Sequence, residues 1–191
     1  MAHSPGQVAV QTVYFAYGSN LHLTQMAQRC PESRYLGRGR LLDFKWQINN
    51  RGYANIYHSP GDQVEGLCFL LSQNDERRLD VNEGVASGAY AKHYVPVQVY
   101  AATATIAGRR VREVNETISQ ALPYNQQSVA TMPTDTSEQV KSLVYISFSH
   151  RNDGLPRPEY VTRMSNGIID ARRLGVPTTY FENCMRGPLG M

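Results

Sequence analysis

Apolar positions in this chain alternate with polar ones through several short runs and fall at helical spacing in others. Thr12–Tyr17 (TVYFAY) is an apolar, aromatic run ending in Gly18-Ser19-Asn20, which reads as a strand closing in a tight turn. Leu21–Arg29 follows with Leu23, Met26 and Ala27 at helical spacing, and Cys30-Pro31 ends it, because the residue before proline is pushed out of the helical region. Ser33–Asn49 holds two strands' worth of sequence, with clear alternation in Phe44-Lys45-Trp46-Gln47-Ile48. Tyr53–Tyr57 and Val64–Leu71 read as strands separated by a turn at Ser59-Pro60-Gly61-Asp62.

The second half is more mixed. Ser72 is an N-cap with Asp75 three residues on, predicting a helix to about Val81 that Asn82-Glu83-Gly84 terminates. Ala89–Ile106 reads as one long or two short strands, and Gly108-Arg109 as a hairpin. Ser119–Gln139 is rich in Gln, Ser, Thr and Pro and reads as a surface loop. Leu143–Phe148 is a final strand, and Pro156–Leu174 is the longest helix, with Gly175 placed to end it. Pro177 restarts a shorter helix through Met185, and 187–191 is a tail. Seven or eight strands and four helices without regular alternation predict one α+β domain over 1–191. Its sheet is expected to curl into a barrel flanked by helices.

Composition narrows the function. Of 191 residues, 41% are hydrophobic and 18% charged, which fits a globular core. Nineteen Lys plus Arg against sixteen Asp plus Glu leave a net charge of +3. Arg38-Gly39-Arg40, Arg77-Arg78, Arg109-Arg110 and Arg172-Arg173 are short and separated, so they read as solvated faces and strand edges. No nucleic-acid partner is expected from them. No apolar run has the length of a membrane span, and the first residues lack a secretory pattern. Cys30, Cys68 and Cys184 are far apart and have no ligand-spaced histidine, which suits reduced thiols in a cytoplasmic protein and predicts no metal site.

Three features could carry chemistry. Tyr17-Gly18-Ser19-Asn20-Leu21 lies where a strand meets a helix, so its backbone N–H groups could bind a carboxylate or an oxyanion, although Ser and Asn also cap helices. Glu83 falls at a helix C-terminus, where the macrodipole disfavours a carboxylate, and Gly84 supplies a bend. Such a placement suits a carboxylate with a raised pKa, although most loop glutamates are simply solvated. Asp153-Gly154-Leu155-Pro156 reads as a helix start with a structural role.

In combination these segments resemble a known family. VYFAYGSNL (13–21), ANIYHSPGDQVEGLCFLL (54–71), LDVNEGVASGAY (79–90) and DGLP (153–156) are similar, in this order, to segments of the γ-glutamylcyclotransferases. The resemblance implies a curled mixed sheet or barrel, a small-molecule γ-glutamyl substrate, and no metal or cofactor. It also implies cyclisation of the γ-glutamyl group to 5-oxoproline with release of the attached amine. Glu83 would be the general acid and base, with Tyr17, Gly18, Ser19, Asn20, Leu21 and Tyr90 binding substrate. Tyr90 could equally be a core strand residue, and Tyr14 and Tyr17 could wall the pocket or pack the core.

The YGSN loop with the EGV segment points to the branch acting on γ-glutamyl amino acids. A glutathione-derived conjugate remains an alternative substrate, a non-enzymatic binding module an alternative role, and a homodimer is left open. Compared with the family, only Ser147–Asn152 separate the last strand from DGLP, whereas 109–139 is expanded. Both regions are expected to border the leaving-group side of the pocket.

Overall fold

The structure is a computed structural model that describes residues 11–120 and 136–191. Its centre is a closed five-stranded barrel in the order β1-β3-β2-β4-β5. β1 (Thr12–Ala16) lies between β3 (Ala54–Leu71) and β5 (Glu138–Ile146), antiparallel to the first and parallel to the second. β2 (Arg34–Ile48) and β4 (Ala91–Ala101) complete the ring with antiparallel pairing. The expected α+β barrel is therefore present, with five strands among the described residues.

The strand count falls because two predicted breaks do not interrupt pairing. β2 is one strand of 15 residues and β3 one of 18. Ser59-Pro60-Gly61-Asp62 does not reverse the chain; it bulges out of β3 where the register jumps between Leu42↔Gln63 and Phe44↔His58. Asp43 takes φ 61° opposite the bulge and accepts the Gly61 N–H at 2.9 Å. Turn residues here absorb extra chain within a ladder instead of ending it.

Helices close around the barrel. A single 3₁₀ turn (Ser19–Leu21) precedes α1 (Leu23–Arg29), and α2 (Gln73–Asn82) starts at its predicted cap, where Ser72 Oγ accepts the Asp75 N–H at 3.2 Å. The hairpin expected at Gly108-Arg109 is instead the lead into α3 (Val111–Gln120), whose Val111, Val114 and Ile118 are buried at helical spacing. The loop expected over 119–139 lies outside the described residues except at its ends: 119–120 belong to α3, and 136–137 lead into β5. α4 (Pro158–Arg173) begins two residues later than predicted, with Arg157 at the cap; α5 (Thr178–Cys184) follows, and the expected tail forms α6 (Arg186–Leu189). Asp153-Gly154 pairs with Asn49 instead of capping α4, and Asp153 accepts from Gln47 Nε2 at 2.9 Å.

Arg38 and Arg40 also depart from a solvated face. Cross-strand register places them beside Glu65 and Tyr100. Arg40 Nε meets the buried Glu65 carboxylate at 2.7 Å, and the Arg38 guanidinium lies 3.7 Å from the centre of the Tyr100 ring. The three cysteines are free thiols, and burial pushes Cys30 and Cys68 well up, which suppresses thiolate formation.

α4 holds the turn and α1 in place. Asp170 on α4 accepts the Leu23 N–H at 2.9 Å, capping α1, whose own cap residue His22 makes no side-chain cap bond. Asp170→Ala should therefore destabilise the protein by about 1–2 kcal/mol, read as a lower urea midpoint with an unchanged slope. An unchanged midpoint would mean that the tertiary cap contributes nothing.

Candidate active site

β1 delivers its aromatic run directly into the 3₁₀ turn, and α2 ends against that turn. Glu83 is the C-cap of α2, and Gly84 follows with φ 64°, a left-handed conformation that a side chain would strain. This bend aims the Glu83 carboxylate back at Asn20. Asn20 is only 3% exposed: its Nδ2 lies 2.9 Å from the Tyr14 hydroxyl and 3.4 Å from Glu83 Oε1. Its Oδ1 accepts from Arg29 Nη1 at 2.9 Å and Gln25 Nε2 at 3.1 Å, so the amide is held in one orientation. Asn20 thus holds the carboxylate instead of capping a helix.

Between these groups is a cavity of about 270 Å³ that Tyr17, Gly18, Ser19, Asn20, Glu83 and Tyr90 all line. Leu21, the remaining residue expected at the site, is not on it. Its side chain is fully buried in the core, and its N–H donates to the Gly18 carbonyl at 2.9 Å, so the 3₁₀ turn consumes the donor. Ser19 Oγ accepts from Gln25 Nε2 at 2.8 Å. Tyr90 donates its hydroxyl to the Ala54 carbonyl at 2.6 Å, not to Glu83, and Tyr17 donates to the Tyr145 carbonyl at 2.5 Å. Both therefore serve as anchored walls as well as core residues.

Tyr14, expected either to wall the pocket or to pack the core, is on the cavity, and so is Tyr145, which the sequence pattern placed only within a strand. Tyr145 lies within β5 and donates to Asp80 Oδ1 at 2.7 Å, which ties the wall to α2 three residues before Glu83. Tyr53, Tyr160, Arg29, Arg51 and Arg163 also line it. The arginines had no signal beyond their type, although Tyr160 and Arg163 are spaced to share a helix face. From 109–120 no residue reaches the cavity; α3 packs beside α1, so the expanded segment does not border the described site there.

Electrostatics leave neutral phenols and one carboxylate of raised pKa in a cavity that three arginines also line. Although 18% of the Glu83 side chain is reached by solvent, burial raises its pKa. Arg29 at 3.9 Å, the Asn20 amide and Arg163 oppose that rise without cancelling it. Burial likewise raises Tyr14, Tyr17 and Tyr90, with the Glu83 charge adding to each, and raises Tyr160 to about 12. The phenols thus stay protonated at neutral pH and present neutral hydroxyls.

A raised folded-state pKa means that ionising Glu83 costs stability. The contribution is full below the unfolded glutamate pKa and is lost as pH rises through the folded one. Glu83→Gln should therefore melt above wild type at pH 7, with the gap closing as pH falls below the usual glutamate range. A gap that widens in acid would reverse the sign of the shift.

A closed five-stranded barrel that sets a buried carboxylate against a tight backbone turn is the arrangement to be compared with known proteins. A family model described as "Gamma-glutamyl cyclotransferase, AIG2-like" matches residues 14–115, and the chain belongs to that family. A Bos taurus protein named gamma-glutamylcyclotransferase is 28% identical over 178 residues, covering 88% of this chain and 91% of its own length. The Homo sapiens protein of the same name is 37% identical over 101 residues, covering 48% of this chain and 52% of its own. A solved structure named gamma-glutamyl cyclotransferase superposes with TM-score 0.66 at 23% identity, covering 92% of this chain and 86% of that one, and so shares its fold.

Proposed function

We propose that the protein is a γ-glutamylcyclotransferase that converts γ-glutamyl amino acids to 5-oxoproline and the free amino acid, with Glu83 as acid and base. The observation that carries the reading is the Glu83 carboxylate, raised in pKa by burial and held by Asn20 on the cavity that Gly18 and Ser19 also line. The substrate supplies its own nucleophile. Its α-ammonium gives one proton to Glu83 and the freed amine attacks the γ-carbonyl carbon; the new C–N bond closes the ring as the old amide C–N bond breaks, and the ring nitrogen's second surplus proton ends on the released amine. Glu83 then passes its proton to the departing nitrogen, and no water is consumed.

Holding the γ-glutamyl chain folded is the larger share of the task, because the reacting groups are already joined and only their approach must be fixed. The 17–20 turn and the walls formed by Tyr14, Tyr17, Tyr90 and Tyr145 suit that work: they are rigid, buried and electrically neutral. A raised pKa strengthens Glu83 as a base while keeping its acid form accessible near neutral pH. The buried, free Cys30 and Cys68 suit a reducing compartment such as the cytoplasm. Purified protein incubated with γ-Glu-Ala should release 5-oxoproline and alanine in equal amounts, measured by chromatography. Glutamate in place of 5-oxoproline would mean hydrolysis and would overturn the reading.

A further inference from the structure

The cavity wall also carries a charge arrangement that the cyclisation chemistry does not use, apart from the influence of Arg163 on Glu83. Going outward from the turn, a methyl group built on Gly18 would lie 3.0 Å from the Tyr160 hydroxyl, so that phenol packs directly on the turn. The Tyr160 ring meets Tyr53 edge-on, with centroids 5.2 Å apart. Over these two rings stand guanidinium groups: Arg163 at 5.1 Å from Tyr160, and Arg51 at 5.8 Å and Arg157 at 5.3 Å from Tyr53. Arg51 and Arg163 line the cavity, and Arg157 Nε donates to the Arg51 carbonyl at 3.0 Å, which fixes that backbone.

These charges are poorly matched within the protein. Glu83 is the sole carboxylate among the cavity-lining residues, and Arg29 already serves it and Asn20. The Arg51 guanidinium has no ion pair or hydrogen bond among the described residues. Arg163 shares Glu159 at 3.6 Å, but that carboxylate is 58% exposed, and such pairs hold weakly. A guanidinium over an aromatic ring keeps its in-plane N–H edges free, and those edges fit a carboxylate by paired hydrogen bonds.

We infer that Arg51 and Arg163, carried on the Tyr53–Tyr160 pair, form the leaving-group subsite and select substrates whose released amine bears a carboxylate. The inference rests on the cyclotransferase reading. With the γ-glutamyl end held between the turn and Glu83, the scissile nitrogen points toward the tyrosine pair, and a carboxylate one carbon beyond it falls toward the two arginines. An amide or unsubstituted amine in that position leaves both guanidinium groups unanswered.

The test compares γ-Glu-Ala with γ-Glu-alaninamide, which differ only in the charge of the leaving group. Wild type should favour the acid about 10–100-fold in kcat/KM, the range of a charged, paired hydrogen bond. Arg51→Gln and Arg163→Gln should each reduce that ratio, the double variant should bring it near one, and Arg51→Lys should retain part of it because charge survives but the fork does not. A ratio unchanged in variants that fold normally, by circular dichroism, overturns the inference. Calorimetric binding of the same two ligands to Glu83→Gln separates the two readings. Acid preference in binding that depends on Arg51 and Arg163, without turnover by wild type, would keep the subsite and sink the cyclisation. Turnover without preference in either assay would do the reverse.

Discussion

Glu83→Gln should lower kcat for 5-oxoproline release by about 10²–10⁴-fold, the usual worth of a positioned general acid–base group. Glutamine keeps the shape of the side chain and an oxygen for the Asn20 amide, so the cavity and its tyrosine walls should persist. What it lacks is a site for the proton that must leave the α-amine and reach the departing nitrogen. KM should change little, because the residues proposed to hold the γ-glutamyl chain lie on the turn and the phenols. The measurement is a single-turnover time course of 5-oxoproline, with circular dichroism to show equal folding. Equal yields from wild type and variant would end the role assigned to Glu83.

Phe15→Ala should cost about 3–5 kcal/mol, the range for deleting a fully enclosed aromatic side chain. Phe15 is completely buried, and its ring reaches across β3 to β2: a methyl group built on Gly39 would lie 2.8 Å from it and 2.6 Å from Cys68 Sγ. Strands two apart come that close only on the concave side of a tightly curled sheet, so the ring fills the barrel. Gly39→Ala should by the same reasoning cost about 1–3 kcal/mol through overpacking. The double variant should be less destabilised than the sum, by about 1–3 kcal/mol, because removing the ring relieves most of the clash. Cys68 remains in the way, so relief should be incomplete. Urea unfolding of the four proteins gives the cycle, and strict additivity would mean that Phe15 and Gly39 do not share this space.

Local pattern predicted best where the chemistry is local. The Ser72 cap, the Asn82-Glu83-Gly84 stop and the β1 run each depend on residues within a turn or two, and the structure has them where expected. Prediction failed where partners are distant. Ser59-Pro60-Gly61-Asp62 has every sign of a chain reversal, yet pairing across to β2 carries the strand through it. α3 was hidden because its apolar stripe, Val111, Val114 and Ile118, is short and precedes a polar stretch. Arg38 looked solvated because no local rule reveals that Glu65 and Tyr100 stand beside it.

The candidate site divides in the same way. Glu83 and Tyr17-Gly18-Ser19-Asn20 are recognisable from their sequence neighbours, since a helix end, a tight turn and a family motif are all contiguous. That Leu21 turns away, that Asn20 grips Glu83 from 63 residues off, and that Tyr145 and three arginines share the cavity are consequences of strand register and helix docking. By itself the sequence determined the fold class, the end of α2 at Glu83 and the turn after β1, because short-range sterics and patterning encode those, while the acid–base role proposed for Glu83 came from the family resemblance. Only the tertiary structure decided the shape and charge of the cavity, because a pocket is made by residues whose separation along the chain says nothing of their distance in space.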